Sequence, residues 1–95
     1  MVSFIVRMRF EPADHERIRE ILTELATASR GEPGCVSYIP HFIDGDTSSV
    51  LIYEQYTDDA AADFHRSTPH FTNFAIAGLY QRMLDRQLET LSAIL

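Results

Sequence analysis

The sequence predicts an α+β domain of the ferredoxin-like, split βαβ type, built on a four-stranded antiparallel sheet. Three observations carry that expectation. Apolar and polar residues alternate at period two over 2–10, 35–42 and 49–56, the signature of strands with two unlike faces. A stripe at helical spacing follows the first of these strands and another follows the third. The order is thus β-α-β-β-α, with a closing segment able to add a fourth strand. The 95 residues make one domain, 1–95, whose helices suffice to cover only one face of the sheet.

In chain order, Val2, Phe4, Val6, Met8 and Phe10 share one face of strand one, and Ser3, Ile5, Arg7 and Arg9 the other. Glu11-Pro12-Ala13-Asp14 breaks the alternation. Ile18, Ile21, Leu22, Leu25 and Ala26 then form one stripe, predicting a helix over 13–30 that Gly31 ends and Pro33-Gly34 turns away from. In strand two, Val36, Tyr38, Pro40 and Phe42 oppose Cys35, Ser37, Ile39 and His41. Pro40 has no N–H for a ladder, which places this strand at an edge or beside a bulge. Asp44-Gly45-Asp46-Thr47 reads as a hairpin loop. Strand three sets Val50, Ile52, Glu54 and Tyr56 against Ser49, Leu51, Tyr53 and Gln55. Asp58 is an N-cap for a helix through Ser67, on which Ala61, Phe64 and His65 fall on one side. Pro69 suits the first turn of a further helix with Phe71, Phe74, Ala75 and Gly78 inward. The tail, 86–95, fits two patterns. Leu84, Leu88, Leu91 and Leu95 recur at helical spacing, while Leu88, Thr90, Ser92 and Ile94 alternate as a strand does.

Composition narrows the partners. The formal charge is −6, every cation is an arginine, and no basic run appears, so a nucleic-acid backbone would be repelled. No apolar run approaches a membrane span, and the N-terminus lacks the order of a signal peptide, so a cytoplasmic location is expected. Cys35 is the single cysteine, which excludes an internal disulfide. Strand one is apolar in part on both faces, and one chain has no second layer of helices to offer. Pairing of two sheets face to face in a homodimer is the expected cover.

The chemistry-bearing residues gather near the junction of strand three and the helix after it. His65 is the candidate catalytic residue, because imidazole titrates near neutrality and can take a proton from a phenol or enol and return it. The plain alternative is a helix histidine bonded to a neighbour. Tyr38, Tyr53, Tyr56, Phe64, His70 and Phe71 are the candidate substrate-binding residues for a small aromatic or carbonyl compound, by stacking and by their polar tips. Each taken singly also suits core packing, and Tyr53 and Tyr56 lie on opposite strand faces. Glu54 reads as structural, a carboxylate among apolar neighbours that needs a partner. His15 and His41 read as solvated, and Cys35 as a small buried residue. His65 and His70 are five apart across Pro69 and share no helix face, so no metal set is expected. No phosphate loop or nucleotide motif occurs, so no cofactor is expected either.

Three segments carry a family resemblance. They are Glu32-Pro33-Gly34-Cys35-Val36-Ser37-Tyr38, then Leu51-Ile52-Tyr53-Glu54-Gln55-Tyr56-Thr57-Asp58, then Phe64-His65-Arg66-Ser67-Thr68-Pro69-His70-Phe71. In these the chain resembles the antibiotic biosynthesis monooxygenase family of dimeric α/β barrels. The resemblance implies a cofactor-independent oxidation of a small phenol or quinol by dioxygen. The family's heme-degrading branch is expected to use a tryptophan and an asparagine; this chain has no tryptophan, and its only asparagine is Asn73. A branch that isomerises a phosphorylated dione is similar around Tyr53, Glu54, Tyr56, Phe64, His65 and His70. Its phosphate calls for cations, and by topology only Arg7, Arg9 and Arg66 lie near the site. An isomerase or lyase of a small dione, or a binding module without catalysis, are the alternatives.

Overall fold

The computed structural model describes residues 1–95. Its elements are β1 (Val2–Arg9), a short 3-10 turn (Pro12–Asp14), α1 (His15–Arg30), β2 (Cys35–Ile43), β3 (Asp46–Tyr56), α2 (Asp59–Arg66), the π-helix α3 (Phe71–Leu79) and β4 (Asp85–Leu91). The sheet has the order β2-β3-β1-β4 and every neighbouring pair is antiparallel. This is the predicted ferredoxin-like arrangement. Pro40 lies on β2, an edge strand, where its missing donor costs least.

One face of the sheet and the helices form the core. Phe4, Val6 and Met8 of β1, Tyr38 of β2, and Val50, Ile52 and Tyr56 of β3 are buried against the predicted α1 stripe of Ile18, Ile21, Leu22, Leu25 and Ala26. The opposite face carries no helix. Ile5, Tyr53 and Ile39 are register partners across β1, β3 and β2 on that face, and Ile39 remains 41% exposed.

The structure resolves or corrects three local expectations. The tail is a strand, because β4 finds a free edge of β1 to pair with from Arg9↔Asp85 to Ser3↔Leu91. The loop is shorter than the sequence predicts: β3 begins at Asp46, since Gly45 takes φ of 79° and closes the hairpin in two residues. The faces of β2 change at its start. A bulge between Cys35 and Ser37 leaves Val36 45% exposed and pairs Cys35 with Tyr56, on the core side.

Candidate functional site

The site is assembled from the turn after α1, the end of β3, and the break between α2 and α3. Asp58 caps α2 by accepting a hydrogen bond from the Ala61 backbone N–H at 2.8 Å, which fixes where the helix begins and so where His65 falls on it. Gly34 brings the preceding turn hard against that helix. A Cβ at Gly34 would lie 2.4 Å from Ala61 Cβ, and the Gly34 carbonyl accepts from Thr57 N–H at 2.9 Å. This close approach carries Glu32 to His65. The Thr68 hydroxyl donates to the His65 carbonyl at 2.7 Å and accepts from Phe71 N–H at 3.2 Å, a bracket that ends one helix and starts the next. His70 comes round with that second helix.

The result is a buried chain of acid–base groups. Glu32 Oε2 is 2.8 Å from His65 Nδ1 and 2.5 Å from His70 Nε2. An ionised carboxylate only accepts, so both nitrogens carry the shared protons. That assignment leaves the other nitrogen of His65, Nε2, as the acceptor, and it lies 3.8 Å from Glu54 Oε1. Glu54 Oε1 in turn accepts from the Tyr56 hydroxyl at 2.6 Å. Glu32 Oε1 is buried with no partner within the chain.

Burial sets the electrostatics. It pushes the Glu54 carboxyl up to about 7, against opposing pulls from the Tyr56 hydrogen bond and from Arg66 and Arg86. Burial also lowers His65 below the usual histidine value, while the bond to Glu32 pulls the other way. The Tyr38 and Tyr56 phenols are both raised, first by burial and then by the charge of Glu54. At neutral pH the site therefore offers a neutral imidazole beside a carboxyl near its midpoint, a base and an acid side by side.

These groups open onto a cavity of about 130 Å³ lined mostly by apolar side chains, among them Phe4, Val6, Ile52, Leu79 and Leu88. A volume of this order holds a single benzene-sized ring. His65 forms part of its wall inside an aromatic cage, with ring centroids of Tyr56 and Phe71 each at 5.3 Å and Tyr38 at 5.6 Å. Arg66, Arg86 and Tyr80 complete the lining.

Of the residues singled out by sequence, the structure gathers His65, Tyr38 and Phe71 on the pocket and His70 next to it through Glu32. Tyr56 is fully buried and lies behind the wall, holding Glu54. Phe64 is 52% exposed and does not line the pocket. Tyr53 lies on the open sheet face, opposite Ile5. Arg7 and Arg9 share that side of β1, whereas Arg86 pairs with Met8 and comes to the pocket. Glu32 is the residue sequence reasoning passed over. The available signal was a carboxylate set just before a Pro-Gly turn. The break at Thr68–Pro69 was expected to keep His65 and His70 from any common ligand set. Instead, with Glu32 between them, three ligand-type atoms lie within 4.8 Å of one another, a donor set of the kind zinc accepts.

The sequence model for antibiotic biosynthesis monooxygenase matches residues 1–76. A Mycobacterium tuberculosis protein named "putative monooxygenase" is 32% identical over 73 residues, spanning 77% of this chain and 71% of its own. A Bacillus subtilis protein, also named "putative monooxygenase", is 27% identical over 78 residues, 82% of each chain. A crystal structure from Pseudomonas aeruginosa superposes with a TM-score of 0.90 at 28% identity, over 99% of this chain and 94% of that one. The matched range runs from β1 through most of α3 and includes Glu32, Glu54, His65 and His70; β4 and the pocket residues Leu79, Tyr80, Arg86 and Leu88 lie beyond it. The chain belongs to the antibiotic biosynthesis monooxygenase family.

Proposed function

We propose that this protein is a monooxygenase that oxidises a small phenol or quinol with dioxygen, without a resident metal, flavin or heme. One observation carries the reading. Glu32 holds His65 in a single tautomer, and its other nitrogen sits beside Glu54 on a ring-sized apolar cavity. His65 takes the phenolic proton, and the phenolate passes an electron to dioxygen. The two radicals join as a carbon-bound peroxide. Glu54 delivers a proton to the outer oxygen, and its carboxylate then takes the hydrogen of the peroxide-bearing ring carbon as a proton. That C–H electron pair forms the carbonyl, the O–O bond breaks, and the leaving hydroxide takes the proton held by His65 and departs as water. A phenol and dioxygen thus give a quinone and water, and the ring supplies every electron that dioxygen takes up. The apolar walls hold the ring in place and keep water from the peroxide.

The relatives' names agree with this reaction class. A second reading, proton transfer on a phosphorylated dione, uses the same acid–base pair and gains support from the two arginines at the pocket. Oxygen consumption separates the two. With an accepted phenol, an oxygen electrode should record uptake that falls by about a hundredfold or more in His65→Ala, the scale of acid–base catalysis. Isomerisation without oxygen uptake would reject the oxygenase. A stoichiometric ion bound through Glu32, His65 and His70, seen by elemental analysis of protein purified without additives, would replace the cofactor-free scheme.

A further inference from the structure

We propose that the ring compound this pocket takes is a carboxylated phenol, a single-ring hydroxy acid of the benzoate type, with Arg86 as its anchor. The proposal rests on the pocket being the reacting site and names the ligand class that the site selects. All eight cations of this acidic chain are arginines, and two of them, Arg66 from α2 and Arg86 from β4, line the same cavity as His65 and Glu54. Each guanidinium is laid over a ring: Arg66 stands 5.7 Å from the Phe4 centroid and Arg86 stands 5.6 Å from that of Tyr80. A cation–π contact of this kind holds a guanidinium near the ring face and leaves N–H groups for a ligand. Arg66 is already shared with Asp63 at 3.3 Å, whereas Arg86 enters no ion pair of the chain.

The pocket therefore has one cation outside any direct ion pair, its charge felt by a Glu54 carboxyl that burial keeps partly protonated, which suits a monoanion better than a phosphate dianion in a chain of charge −6. A planar fork matches a carboxylate through two parallel hydrogen bonds. The cavity admits one ring, so a hydroxyl directed to His65 leaves the opposite substituent among the other lining groups, which include the two arginines. The sequence offers no lysine to do this at a less specific geometry.

Calorimetric titration of the intact protein decides it, with para-hydroxybenzoate, phenol and phenyl phosphate as probes. The hydroxybenzoate should bind at least about tenfold more tightly than phenol, as one charge-assisted pair provides. Arg86→Gln should bring that ratio close to one, and added salt should narrow it in the parent. Equal binding of phenol, tighter binding of phenyl phosphate, or a preference that survives in Arg86→Gln with unchanged melting would each overturn the proposal. The titrations need no turnover. A hydroxybenzoate preference in a protein that consumes no oxygen would reject the oxygenase reaction and retain the ligand class.

Discussion

Glu54 is a buried acid with a measurable signature in stability. Its carboxyl titrates near 7 in the folded protein against an ordinary 4.5, so the folded chain keeps a proton that the unfolded chain has released. Its contribution is intact below the ordinary value and is lost as pH rises through about 7. The shift corresponds to roughly 3 kcal/mol. Glu54→Gln keeps an acceptor for the Tyr56 hydroxyl but cannot ionise. It should match the parent near pH 4 and exceed it by that order near pH 8. His65 is shifted the other way, its contribution being lost as pH falls below its ordinary value, so the difference between parent and variant isolates Glu54. Melts of the two proteins that run parallel over this range would disprove the buried acid. His65 itself is legible in sequence as a candidate base or as a helix histidine bonded to a neighbour, but its depth in the fold is not. The structure leaves it 3% exposed and bonded to Glu32, so His65→Ala should cost nearer 2 to 3 kcal/mol by stripping a buried carboxylate of a partner. Glu32 was hard to read because its burial depends on α2, which lies about thirty residues further on. No local pattern reports a contact of that range.

At the scale of elements, alternation and stripes located every strand and helix that buries one face. They failed where an element's fate depends on a neighbour. The tail's two periodicities could not be separated until β1 was seen to have a vacant edge, and the face swap in β2 comes from one bulged residue that alternation cannot display. The turn at Gly34 matters more than its length suggests. It touches α2 closely enough that an added methyl group would lie 2.4 Å from Ala61 Cβ, and that contact is between backbone-borne atoms that cannot swing aside. Gly34→Ala should push the turn off α2 and pull Glu32 from His65. The expected result is a loss of about 1 to 3 kcal/mol, as for overpacking elsewhere, together with loss of most turnover. Normal turnover at a lowered melting temperature would show that Glu32 does not need this turn. The paired variant Gly34→Ala, Ala61→Gly removes the 2.4 Å contact and should restore turnover, with stability still about 1 kcal/mol below the parent for the glycine inside α2.

For the whole molecule, the sheet face without helices is the remaining question. Ile5, Ile39 and Tyr53 adjoin one another there, and we propose that a second copy covers them in a two-fold homodimer. Light scattering at micromolar concentration should return about twice the chain mass of 10.8 kDa, and a monomer would defeat the assignment. The sequence pointed to this cover through Ile5, an apolar residue on the otherwise polar side of β1. It could not assign Tyr53 to that surface rather than to the pocket, since either face of a strand accommodates a tyrosine.

β3 runs between these two regions with its side chains alternating. Val50, Ile52, Glu54 and Tyr56 face the helices, while Leu51, Tyr53 and Gln55 face outward. A substitution scan along this one strand would therefore oscillate. Under the proposed dimer, odd positions would alter how protein concentration affects activity, because they face the second copy. Even positions would change the rate per molecule at any concentration. Seven consecutive residues would thus sort assembly from chemistry with a period of two.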